Sequence, residues 1–167
     1  MARAWVAIGS NIAPEANVLA ALGALDERYG QLAVSTVYRT EAVGFEGRPF
    51  LNLVVGFDTD DPPERVLAFL RRQEDAQGRV RTGPKFSART LDLDLLLYDD
   101  RCGEVAGKPL PHPDILEYPF VLRPLAELAP EQPHPTDGRT FADLWADMRS
   151  RGVGQGMEPV RVLRSED

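Results

Sequence analysis

The sequence holds one cysteine, Cys102, so no internal disulfide forms, and no Cys or His partner stands near it at zinc spacing. Its two histidines, His112 and His134, are too few for a His-based metal site. No apolar run approaches the roughly 20 residues that span a bilayer. Met1-Ala2-Arg3-Ala4-Trp5 runs straight into a strand-like segment and does not read as a signal peptide, which makes a cytoplasmic location the expectation. A Gly-x-x-x-x-Gly-Lys-Ser/Thr loop is missing, as is Gly-x-Gly-x-x-Gly, so neither a P-loop enzyme nor a dinucleotide fold is supported. Nor does a Ser/His/Asp pattern stand out. Positive charge is scarce overall: the net charge is −7, which speaks against phosphate-backbone binding of a nucleic acid.

What is present is unevenly spread. Residues 71–89 carry Arg71, Arg72, Arg79, Arg81, Lys85 and Arg89 against Glu74 and Asp75. A local basic cluster in an acidic chain of 167 residues suits a small anionic ligand, although a solvated basic loop has the same composition. That length fits one compact domain, expected over 1–167, with a core that needs no covalent staple.

Periodicity predicts the elements. Residues 4–8 read as a strand closing on Gly9-Ser10-Asn11, a tight turn to a helix or a phosphate nest. Val18, Leu19, Leu22 and Leu25 mark a helix over 14–29. Strands follow at 31–38 and 50–58, around a long loop at 39–49. Asp61-Pro62-Pro63-Glu64 predicts a helix start with Asp61 as cap, Pro62 in the first turn and Glu64 closing a capping box. Gly78 is the expected stop. Residues 79–90 form a basic loop, and 91–98 a strand. That strand places Leu91, Leu93, Leu95 and Leu97 on one face, with Asp92, Asp94 and Leu96 on the other. A loop from Pro109 to Pro113 and helices at 120–128 and 141–148 complete the chain, with a Gly-rich tail from about 150 left open as to its order. Strand, helix, strand, strand, helix, strand is the ferredoxin-like α+β pattern, an antiparallel sheet with helices mainly on one face. The pattern alone fixes no function.

Asp92 and Asp94 are the chemical signal. Two carboxylates projecting the same way from one strand suit magnesium, which takes oxygen ligands and shares them with substrate phosphates. Cations beside a metal pair are recurrent equipment for phosphoryl transfer. An exposed acidic strand face is the plainer alternative; the all-leucine opposite face favours a strand buried on one side and lining a cleft on the other.

At this point the chain resembles the 6-hydroxymethyl-7,8-dihydropterin pyrophosphokinases of folate biosynthesis. The likeness runs from about residue 4 to 148. It rests on Ala7-Ile8-Gly9-Ser10-Asn11, Tyr38-Arg39-Thr40 with Gly44, Phe50-Leu51-Asn52, and Glu74 with Gly78-Arg79-Val80-Arg81. Arg89-Thr90-Leu91-Asp92-Leu93-Asp94, Pro111-His112-Pro113 and Phe120-Val121-Leu122-x-Pro124-Leu125 follow in order. The resemblance implies transfer of pyrophosphate from ATP to the pterin hydroxyl, releasing AMP. It implies two magnesium ions on Asp92 and Asp94, with Arg79 and Arg89 stabilising the transferring group. ATP would contact Arg71, Glu74, Arg81, Lys85, Leu95 and His112. The pterin would lie among Thr40, Val43, Phe50, Asn52 and Phe120, with Phe120 stacking on its ring. The expected partners are these small molecules, with no nucleic acid and no membrane, and the expected state is a monomer. The chain departs from the family's usual residues at Phe86-Ser87-Ala88, Glu41-Ala42, Arg71 and Tyr118. A paralogue for a related pterin and a non-catalytic ferredoxin-like nucleotide-binding module are the remaining readings.

Overall fold

The computed structural model describes residues 1–41, 47–78 and 91–162. Five residues expected in the site, Val43, Arg79, Arg81, Lys85 and Arg89, lie outside the described residues, as do the departures at Ala42 and 86–88. The elements run β1 (Ala2–Ser10), α1 (Pro14–Tyr29), β2 (Ala33–Val34), β3 (Val37–Thr40), β4 (Phe50–Thr59), α2 (Pro63–Ala76) and β5 (Asp92–Tyr98). Then follow β6 (Gly103–Val105), β7 (Lys108–Leu110), α3 (Asp114–Glu117), α4 (Pro119–Leu128), α5 (Phe141–Ser150) and β8 (Glu158–Val160). The main sheet is ordered β5-β1-β4-β3-β8 with β2 also on β4, and its pairings are antiparallel. This is the expected α+β, ferredoxin-like order.

Alternation along β1 divides the core in two. Ala4, Val6 and Ile8 pack with Val18, Leu22 and Leu25 of α1 and Val66, Phe69 and Leu70 of α2. Trp5, with Val54 of β4, faces Val121, Leu122 and Leu125 of α4 and Phe141 and Leu144 of α5. Helices therefore cover both faces rather than mainly one as expected, because the C-terminal third of the chain supplies a second layer. The central strand β4 is buried on both sides, with Leu53, Val54, Val55 and Phe57 fully enclosed. Each such side chain contributes about 1.5–3 kcal/mol of burial. Gly56 is what admits Trp5: a Cβ there would run into the indole ring.

Three local expectations are corrected. The helix start at Asp61 has no side-chain cap; α2 begins at Pro63 after Pro62. The Asp61 carboxylate instead accepts from Arg28 Nη2 at 2.7 Å and from the Tyr29 hydroxyl at 3.3 Å, tying α1 to the start of α2. The strand over 31–38 is interrupted at Ser35. Its amide donates to the Val54 carbonyl at 3.0 Å and its hydroxyl accepts the Val54 amide at 2.9 Å, so a side chain takes the place of a ladder carbonyl. In β5 the leucine face breaks after Leu95. Val6 opposes Leu95 but Trp5 opposes Leu97, so Leu96 is the extra residue of a bulge. Leu97 therefore joins Leu96 beneath α4 and α5 and leaves the cluster that holds Leu91, Leu93 and Leu95. Gly78 ends α2 as expected, at φ 80°. Beyond Ser150, β8 pairs with β3, Val160 opposite Val37.

Candidate active site

The register of the sheet assembles the site. Gly9 opposes Asp92 on one side and Asn52 on the other, so Asp92, Gly9 and Asn52 form one cross-strand row with side chains on one face. Neighbouring strands lie about 4.8 Å apart, which sets Asp92 and Asn52 roughly 10 Å from each other. Gly9 keeps the row open: a Cβ there would stand 2.8 Å from Asn52 Oδ1. Ala7 and Asp94 make the next row. This is the face that α4 and α5 cover, and Phe120 stands in the first turn of α4.

At the other end of the row, Asn52 Nδ2 donates to Thr40 Oγ1 at 2.6 Å, and both residues are buried. Thr40 opposes Phe50 across β3 and β4. Phe120 stacks on Tyr118, with centroids 5.0 Å apart and planes at 22°. Gly9 and Ser10 close β1 instead of forming the expected turn, and the strand-to-helix connection, Asn11 to Ala13, is occupied by its own bonds. Ser10 Oγ and Asn17 Nδ2 both donate to the Ile12 carbonyl, Asn11 Nδ2 donates to the Arg48 carbonyl, and Ala13 takes a left-handed φ of 43° before α1.

A cavity of about 340 Å³ wraps the outer edge of β5. Arg71, Glu74, Asp92, Asp94, Leu95 and His112, all expected at the nucleotide, line it together with Leu67 and Leu70 of α2 and with Ala106 and Lys108. The last two belong to the β6–β7 hairpin, whose two-residue turn puts Ala106 at φ 50° and Gly107 at φ 80°. Left-handed torsions at both turn positions define the tight hairpin geometry. The Ala-Gly pair was its signal in the sequence, masked by an alanine where Asn or Asp is usual. His112 is anchored by its amide, which donates to the Leu96 carbonyl at 2.9 Å. Its Nδ1 accepts the Asp114 amide at 3.1 Å, so the neutral ring carries its proton on Nε2, which lies 4.0 Å from Asp94 Oδ1. That nitrogen is then a donor aimed into the cavity, suited to a phosphate oxygen rather than to a metal.

Acidic charge converges here. Withdrawal from water pushes the Asp94 carboxyl well above the usual carboxylate range; the neighbouring charges of Asp92, Glu74 and Asp114 add to the shift, and Lys108 opposes it. Ligand atoms of Asp94, His112 and Asp114 all lie within 4.8 Å of one another. Asp114, two residues past the histidine, was not singled out by the sequence pattern. A carboxyl that burial and neighbouring negative charge hold above the usual range is one whose ionised form a hard dication stabilises, so the residues present fit magnesium.

The chain is similar to proteins of one described family. The family described as 7,8-dihydro-6-hydroxymethylpterin-pyrophosphokinase matches residues 5–130. A 2-amino-4-hydroxy-6-hydroxymethyldihydropteridine pyrophosphokinase of Pseudomonas aeruginosa is 38% identical over 90% of this chain and 94% of its own. One of the same name from Synechocystis is 34% identical over 96% of this chain and 88% of its own. Among solved structures, wild-type Plasmodium falciparum HPPK-DHPS with pteroate superposes with a TM-score of 0.76 at 13% identity, over 98% of this chain. The chain spans 48% of that longer protein, and the likeness establishes the fold.

Proposed function

We propose that this chain, which belongs to the 7,8-dihydro-6-hydroxymethylpterin-pyrophosphokinase family, transfers the pyrophosphoryl group of ATP to 6-hydroxymethyl-7,8-dihydropterin in folate biosynthesis. ATP is the co-substrate. The observation that carries the reading is the open row Asp92–Gly9–Asn52, which sets an acidic, phosphate-suited cavity one strand away from a buried Asn–Thr pair suited to a heterocycle edge.

In this reading Asn52 and Thr40 hold the pterin edge, and Phe50 and Phe120 bound its ring faces. Arg71, Leu95 and His112 hold the nucleotide, with the His112 Nε2–H donating to a phosphate oxygen. Asp92 and Asp94 hold two magnesium ions, which would supply charge neutralisation at the polyphosphate. Arg79, Arg81, Lys85 and Arg89 bring positive charge from the basic segment, and Val43 completes the pterin pocket. The pterin hydroxyl oxygen bonds to the β-phosphorus as the bond to the α-phosphate oxygen breaks; AMP leaves and the hydroxyl proton is released. Such a displacement asks the protein to position and to offset charge. The protein acts as a single-domain monomer on small molecules. No described helix is long and apolar enough to cross a membrane.

Chromatography of products from ATP, magnesium and 6-hydroxymethyl-7,8-dihydropterin tests the reaction. AMP and the pterin diphosphate are expected in equal amounts. ADP in place of AMP, or no product from folded protein, overturns the reading.

A further inference from the structure

Among the described residues β5 is an edge strand of the sheet, so its outer amides need partners from elsewhere. One of them is the Leu93 amide, in the middle of Asp92-Leu93-Asp94. It donates to Glu74 Oε2 of α2 at 2.9 Å in a buried contact, and Glu74 is 6% exposed. Three residues along, the His112 amide takes the Leu96 carbonyl. The strand is thus fastened at the two points that flank Asp94.

Glu74 lies in the last turn of α2 and lines the same cavity as Asp92 and Asp94. What a shorter or apolar side chain would not supply is the acceptor for Leu93. We propose that Glu74 is a positioning residue: by accepting the Leu93 amide it fixes the peptide joining Asp92 to Asp94 and so sets the direction in which both carboxylates project. This rests on the reading of Asp92 and Asp94 as the magnesium pair, and it gives Glu74 a task other than the nucleotide contact that the family resemblance implies. A displacement of about 1 Å at a reacting centre costs on the order of a hundredfold in rate, which is why such a fastening matters.

Glu74→Gln keeps an acceptor oxygen and removes the charge; Glu74→Ala removes both. Leu93 amide exchange is followed by NMR on the full chain without nucleotide. AMP formation is titrated with magnesium, per folded molecule. Glu74→Ala is expected to speed Leu93 exchange at least ~10-fold and to raise the magnesium needed for half-maximal turnover by about tenfold. Glu74→Gln is expected to restore Leu93 protection and most of the turnover. Equal impairment by the two variants with Leu93 still protected in Gln overturns the proposal in favour of a charge or substrate contact. Faster exchange in Ala with unchanged magnesium dependence overturns it in favour of a purely structural bond. If the Ala variant does not fold, Glu74→Gln decides alone: protection with turnover within about threefold of wild type supports positioning, and protection with larger loss contradicts it. Asp92→Ala and Asp94→Ala run beside them separate this from the underlying reading, which fails if those two still release AMP.

Discussion

The chain uses the tripeptide Pro-His-Pro twice, at Pro111-His112-Pro113 and at Pro133-His134-Pro135, and puts the copies to opposite uses. Locally they match. Each ring accepts a backbone amide two residues on at Nδ1, from Asp114 at 3.1 Å and from Thr136 at 3.2 Å. Their surroundings differ. His112 lies on the outer edge of β5, partly exposed, with Asp94 and Asp114 beside it. His134 is 3% exposed, takes a second amide from Asp137 at 3.0 Å and meets the ring of Phe141 edge-on. Burial pushes its pKa below the usual histidine value, with the Asp137 carboxylate opposing. The same loop chemistry thus orients a donor into a cavity in one place and closes a polar gap under α5 in the other. A motif supplies ring orientation; its neighbours supply function.

The largest effect that sharpens this contrast is at the acid beside His112. Asp94→Asn should lower AMP formation roughly a thousandfold, about 4 kcal/mol of transition-state stabilisation. It should also raise the melting temperature without magnesium. The Asp94 carboxyl is held above its unfolded value, so its ionised form opposes folding at neutral pH and an uncharged side chain removes that opposition. Calorimetric melting beside the activity assay checks both directions.

His112→Ala should cost about tenfold to a hundredfold in kcat/KM, roughly 1.4–2.7 kcal/mol, with little change in stability, as steady-state kinetics and a urea midpoint would show. His134→Ala should do the reverse, losing about 2 kcal/mol of stability, because two partly buried amide bonds lose their acceptor and the buried ring leaves a gap, while kcat per folded molecule stays at the wild-type value. The smallest effect is on pH. His134 folds best neutral, so stability holds above its ordinary value of 6.5 and declines as pH falls below it. His134→Gln should flatten that decline in urea unfolding followed across this range, whereas His112→Gln should leave it in place.

Much of this was legible in the residues. The limits of α1 and the Gly78 stop follow from apolar spacing and a glycine, both local signals. Asp92 and Asp94 read correctly as a pair on one strand face, because alternation is a property of the backbone. The phase beyond Leu95 was not legible, since the bulge arises from pairing with β1, about 90 residues away in sequence. Asp61 looked like a helix cap until tertiary partners, Arg28 and Tyr29, took its carboxylate. Lys108 and Asp114 carry no motif; the hairpin and the His112 loop bring them to β5. Gly9 is the clearest case of a residue whose meaning is cross-strand. Its sequence suggests a turn, and its place in the row between Asp92 and Asn52 makes it the gap between the two halves of the site.

The most direct measurement is AMP release from ATP, magnesium and 6-hydroxymethyl-7,8-dihydropterin by Asp94→Ala and His134→Ala side by side, each normalised to folded protein. The His134 variant is expected to release AMP at the wild-type rate and the Asp94 variant nearly none; AMP from the Asp94 variant at the rate of its partner would overturn the role of Asp94.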